Sequence, residues 1–78
     1  MQLSVADQGS YVLAKTSGTI NDEAAQPIRE QLDPVVARDG AVLIIDIADS
    51  PRINSAGLAI LVRVVTDANK YGSRMILA

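Results

Sequence analysis

The chain has 78 residues, enough for one small domain. It is 49% apolar and 21% charged, with a net charge of −2 and only two aromatic rings, Tyr11 and Tyr71. The absence of cysteine and histidine excludes disulfides, Cys/His zinc sites and histidine acid–base catalysis by this chain alone. The charge is uneven: residues 1–40 hold six acids and three bases, residues 41–78 three acids and four bases. An acidic balance without clustered Lys/Arg argues against a nucleic-acid partner. No apolar run reaches membrane-spanning length and the N-terminus lacks a signal-peptide pattern, so a cytoplasmic domain without direct membrane insertion is expected.

Leu3 and Val5 alternate with polar neighbours and predict a first strand. Asp7-Gln8-Gly9-Ser10 is a turn signal, and Tyr11–Thr16 is rich in strand formers, so a hairpin ending at Ser17-Gly18 is expected. Asn21, Asp22 and Glu23 are an acidic lead into a helix. Ile28, Leu32, Val35 and Val36 then recur on one helical face. Pro27 fits a first turn. Pro34 in a helix interior costs about 3 kcal/mol, so a kink or break is expected there, with Asp33 recapping.

Ala41–Ile47 is almost continuously apolar and predicts a central parallel strand covered on both faces. A polar loop containing Pro51 follows, then a second helix from about Ala56 to Tyr71. Leu58, Leu61, Val62, Val65 and Ala68 are its expected inner face, with Arg63, Thr66, Asp67 and Lys70 outside. Lys70 suits the negative helix end and Gly72 the position just beyond it. Arg74–Ala78 begins a further apolar strand. The fold class is therefore α/β: a small mixed sheet in β-β-α-β-α-β order, with helices packed on it and right-handed crossovers, in a single domain over residues 1–78.

The loop before the second helix holds the candidate chemistry. Ser55 sits where a helix start offers free N–H groups and a positive dipole end, which welcome an anion. Serine is also a preferred N-cap. Arg52 lies beside it and could pair with a phosphate or a partner's carboxylate. Gly57 allows close approach to the helix start, by a neighbouring element or by a partner. Ile53 and Leu58 read as core residues. Asn21 and Asn54 suit turn and cap positions.

Asn54-Ser55-Ala56-Gly57 has part of the shape of a nucleophile elbow, but Ile53 replaces its first glycine and no histidine activates the serine. Asp46 and Asp49 are not fixed face to face, and no phosphate-binding glycine loop exists. No catalytic residue, cofactor or metal is expected, and no motif supports a small-ligand site.

Asp46-Ile47-Ala48-Asp49-Ser50-Pro51-Arg52-Ile53-Asn54-Ser55-Ala56-Gly57-Leu58 resembles, without a gap, the pattern D-L-S-x-V-x-x-I-D-S-S/A-G-L of STAS domains, the anti-sigma-factor antagonist family. Gly18-Thr19-Ile20-Asn21 is similar to the family's G-E-L-D. The resemblance implies a bacterial protein-interaction domain. It also implies phosphorylation at Ser55 by an anti-sigma factor of the kinase-like ATPase class, reversed by a PP2C-type phosphatase. The implied contact surface is Asn21, Asp22, Arg52, Asn54, Ser55, Ala56, Gly57 and Leu58, with the exposed side of the second helix. Asn21 and Asn54 stand where the family commonly has aspartate, which removes two charges while keeping shape. An unphosphorylated scaffold or transporter-accessory module is the alternative expectation. STAS domains usually continue for about another third, so the resemblance implies a trimmed piece, or a homodimer or domain swap that covers the last strand.

Overall fold

The computed structural model describes residues 1–78. β1 (Gln2–Asp7) and β2 (Val12–Ser17) form the antiparallel hairpin expected from their alternation. β3 (Val42–Asp49) lies parallel to β2, and β4 (Arg74–Leu77) parallel to β3. The sheet order is β1-β2-β3-β4. α1 (Ala25–Val36) connects β2 to β3, and α2 (Ser55–Lys70) connects β3 to β4.

Both helices pack on the same face of the sheet. Val12 and Ala14 of β2 and Leu43 and Ile45 of β3 form one core with Ile28, Leu32, Val35 and Val36 of α1 and Leu61, Val64 and Ala68 of α2. β3 is therefore not covered on both faces. Leu43 and Ile45 are buried, whereas Val42, Ile44 and Asp46 are half-buried on the open face. The continuous apolar run reflects a strand with neighbours on both edges, not layers on both sides.

α1 presents the inner face that its periodicity predicts. It is preceded by a single 3-10 turn, Asp22–Ala24, capped by Asn21, whose Oδ1 accepts the Glu23 amide at 3.0 Å. Pro27 falls in the first turn of α1. Pro34 breaks nothing: the helix runs on to Val36. Val35 and Val36 are 5% and 1% exposed, and their burial outweighs the local cost of the proline. Asp33 recaps no helix. It accepts from Arg63 of α2 at 3.1 Å, and Arg63 also reaches Asp67 at 2.7 Å. The far end of α1 is tied to β4 by the buried Ser73, whose Oγ donates to the carbonyls of Val36 (2.9 Å) and Arg38.

Candidate functional site

Two loops meet beside the start of α2. Gly18 ends β2 with φ +82, a left-handed turn that favours glycine, and its amide donates to Asp49 O at 3.0 Å. Ile20 is completely buried and joins the loops through its backbone. Its amide donates to Arg52 O at 2.9 Å and its carbonyl accepts the Asn54 amide at 3.1 Å. Thr16 and Ser50 add a buried hydroxyl pair at 2.7 Å under the second loop. The serine loop is thus tied at Asp49, Ser50, Arg52 and Asn54 to the end of β2 and the segment that follows it.

Asn54 caps α2. Its backbone is extended, and its Oδ1 accepts the Gly57 amide at 2.8 Å. The alternative of Ser55 as the N-cap is corrected: Ser55 is the first helical residue, and its hydroxyl makes no hydrogen bond within the chain. Asn54 wins because Ile20 already holds its amide and fixes the extended geometry that a cap needs. Asn54 uses its amide on Ile20 and its side chain on Gly57, while the Ser55 and Ala56 amides find no acceptor in the chain. They face outward beside an exposed serine hydroxyl, at the positive end of a 16-residue helix.

Gly57 is essential to this geometry. A Cβ there would lie 2.2 Å from Ile20 O and 2.6 Å from its carbonyl carbon. The helix start therefore rests directly on the backbone of the neighbouring loop. The close approach is to an element of the same chain, and Gly57 is buried.

That contact also sets the rotation of α2. Gly57, Leu61, Val64 and Ala68 face the core. Leu58 and Val62 are 54% and 55% exposed, and Val65 is exposed as well. The expectation that Leu58, Val62 and Val65 are inner residues is corrected, as is that of a core role for Ile53, which is 36% exposed. Val64 is the core residue the sequence reading missed. Arg63 and Asp67 face α1, so Leu58, Val62 and Val65 form a bare apolar stripe on the opposite flank of α2. Helical spacing puts Ser55 at the head of that stripe.

Asn21, Arg52, Asn54, Ser55, Ala56, Gly57 and Leu58 all belong to this corner, joined through Ile20. Asp22 is exposed in the adjoining 3-10 turn. Arg52 is exposed and pairs with no acid of the chain. Asp46 and Asp49 form no pair; Asp46 Oδ1 accepts the Ala48 amide at 2.9 Å. Two hollows mark the surface, about 170 Å³ beside Tyr11 and Arg38 and about 250 Å³ beside Lys15 and Asp49, and neither is lined by Arg52, Asn54 or Ser55. No group of three or more acidic side chains is placed to hold a metal ion. No helix is long and apolar enough to cross a membrane.

With four strands, two helices and a clamped serine loop in this order, the chain belongs to the STAS domain family, whose model matches residues 2–78. A solved structure of the Bacillus cell fate determinant SpoIIAA in its phosphorylated form superposes with a TM-score of 0.77 at 14% identity. It covers 97% of this chain and 70% of that one. Two structures of Mglu, one in its native form, superpose with TM-scores of 0.73 and 0.74 at 17% and 19% identity. They cover 95% and 94% of this chain but only 18% and 22% of theirs, so the fold also occurs as a minor part of a longer polypeptide. No curated protein sequence matches the chain closely enough to count as a relative.

Proposed function

We propose that this chain is a protein-interaction domain of the anti-sigma-factor antagonist type. Its partner is an anti-sigma factor of the kinase-like ATPase class, and phosphorylation of Ser55 is the off switch. The observation that carries this reading is the position of Ser55: exposed, relieved of capping by Asn54, and at the head of the bare stripe Leu58-Val62-Val65. A phosphoserine adds roughly −1.5 to −2 charges near neutral pH. At Ser55 they sit beside the free Ser55 and Ala56 amides, so the fold tolerates them. A partner pressed on the apolar stripe meets a new anion at its rim and is repelled. A PP2C-type phosphatase would reverse the step. The setting is the cytoplasm of a bacterium.

The alternative of an unswitched scaffold or transporter-accessory module draws on Asn21 and Asn54. Both amides are occupied in capping, and neither supplies a carboxylate near Ser55. Titration calorimetry against a kinase-like anti-sigma factor separates the readings. Under the switch, Ser55→Ala binds as wild type does and Ser55→Glu binds at least about tenfold more weakly, the equivalent of roughly 1.4 kcal/mol. Equal affinity of Ser55→Glu and wild type defeats the switch and leaves the scaffold.

A further inference from the structure

The pairing of β2 with β3 changes register just before the serine loop. Lys15 lies opposite Asp46, but Ser17 lies opposite Asp49, so β3 takes three steps where β2 takes two. Thr16 therefore faces both Ile47 and Ala48 across a bulge. Pairing resumes beyond the strands, with Ile20 opposite Ile53. That second contact brings the Asn54 amide to the Ile20 carbonyl. A slip of one residue at the bulge would offer the Ile20 carbonyl a different amide, and the cap of α2 would no longer fall on Asn54.

Side chains hold the bulge from both faces of the sheet. On the core side the Thr16 and Ser50 hydroxyls lie 2.7 Å apart, and the Thr16 hydroxyl is also 3.5 Å from the Asp46 carbonyl. Ser50 can donate to Thr16 while Thr16 donates to Asp46, so neither hydroxyl is stranded. On the open side the Asp46 carboxylate closes over the extra residue, with Oδ1 accepting the Ala48 amide at 2.9 Å. The Ser50 amide donates to Ile47 O at 3.0 Å and turns the chain out of the strand.

The placing of the hydroxyls is selective. Thr16, Ser50 and Ser73 are the three buried polar residues of the chain, and two of them meet at this bulge. An apolar pair would fill the same space in more than one register. A buried hydroxyl pair is satisfied only in the register that brings its members together.

We propose that Thr16, Ser50 and Asp46 form a register clamp that positions Ser55. They are positioning residues, acting through the contact of Ile20 with Asn54. In the clamped register Asn54 takes the cap and Ser55 keeps a free hydroxyl at the helix start. The inference rests on the reading of Ser55 as the switch residue.

Amide exchange on the free chain tests the clamp, and phosphorylation by a kinase-like anti-sigma factor tests its use. Thr16→Val combined with Ser50→Ala removes both hydroxyls and strands no donor, so Tm should stay within about 4 °C of wild type. The Gly18, Ile20 and Asn54 amides, which tie the loop, should exchange about tenfold faster or more. Those of Ser73 and Arg74, bonded at the other end of the sheet, should keep their wild-type rates. Asp46→Ala should give the same pattern. Asp46→Asn should not, since an amide oxygen accepts from Ala48 as a carboxylate does. The double variant should also lose about tenfold in kcat/KM for phosphorylation of Ser55, because the nucleophile is no longer held in one place. Equal acceleration at all five amides marks a general loss of stability and overturns the proposal, as do unchanged rates at Gly18, Ile20 and Asn54. Faster exchange there with undiminished phosphorylation overturns it too, since the bulge then holds the loop without positioning the serine. A wild-type chain that stays unphosphorylated defeats the switch alone, and the exchange pattern still decides the clamp.

Discussion

α2 carries two apolar stripes of nearly equal chemistry and opposite fate. Leu61, Val64 and Ala68 are 2% exposed or less, whereas Leu58 and Val62 are more than half exposed. The stripes are one residue apart in register, so composition does not choose between them. Gly57 does. It alone lets the helix start rest on the Ile20 carbonyl, and that contact turns the Leu61 stripe inward. A glycine thereby decides which apolar surface becomes core and which stays in water.

The largest effect should come from breaking that choice. Gly57→Ala forces its new methyl into a backbone carbonyl, not into a side chain that can swing away. The loop zipper through Ile20 or the seat of α2 must move, at a cost of roughly 3 kcal/mol. Thermal melts should show a large drop in Tm. A loss of less than about 1 kcal/mol would mean that α2 re-seats freely and that Gly57 does not set its rotation.

A matched pair of truncations comes next. Leu61→Ala removes a side chain from the closed core and should cost about 3 kcal/mol. Leu58→Ala should change stability by no more than about 0.5 kcal/mol, because its side chain is already in water. Denaturant titration gives both values. In partner binding the order should reverse, with Leu58→Ala losing affinity. If the two cost the same stability, the stripes are not distinguished as the structure has them.

A smaller effect separates Asn54 from Ser55. Asn54→Ala leaves the Gly57 amide without its acceptor and should cost about 1 kcal/mol. Ser55→Ala removes no hydrogen bond within the chain and should stay within about 0.5 kcal/mol of wild type. Ser55→Glu puts a negative charge at the positive helix end and should be neutral or slightly stabilising. Urea midpoints rank the three. Were Ser55→Ala the costlier of the two alanine changes, Ser55 would be the working cap, and its modification would disturb the fold.

Much of this was legible in the sequence, and the gaps have physical causes. The element order, the α1 face from Ile28 to Val36 and the STAS pattern around Ser55 follow from periodicity and local motifs. The α2 inner face did not, because apolar residues recur at the helical period on two adjacent lines, and only a contact with a distant loop chooses one. The cap was ambiguous for a similar reason. Asn54 and Ser55 are neighbours and both cap well, so the decision rests with the Ile20 carbonyl, more than thirty residues away in sequence. Pro34 misled because helix propensity is a local quantity, whereas Val35 and Val36 are held by the core. The bare face of β3 was hidden because an apolar run shows a strand's surroundings without saying which side the helices take.

The smallest effect belongs to the hairpin turn, far from either stripe. Asp7 Oδ1 accepts the Gly9 amide at 3.0 Å, and its Oδ2 lies 3.3 Å from Arg38. The amide first, and then the guanidinium, hold its carboxyl below the usual aspartate value. With the folded pKa depressed, the contribution to stability is complete above the unfolded pKa and fades as pH falls through the folded one. Asp7 and Arg38 are both largely exposed, so the contribution is small and screened by salt. Asp7→Asn should therefore flatten the acid limb of a Tm-against-pH curve slightly and leave the neutral region almost unchanged. An Asp7 carboxyl found by NMR to titrate at or above the ordinary value would remove both contacts from solution. It would also show that the hairpin end of the sheet is looser than the clamped corner at Ile20.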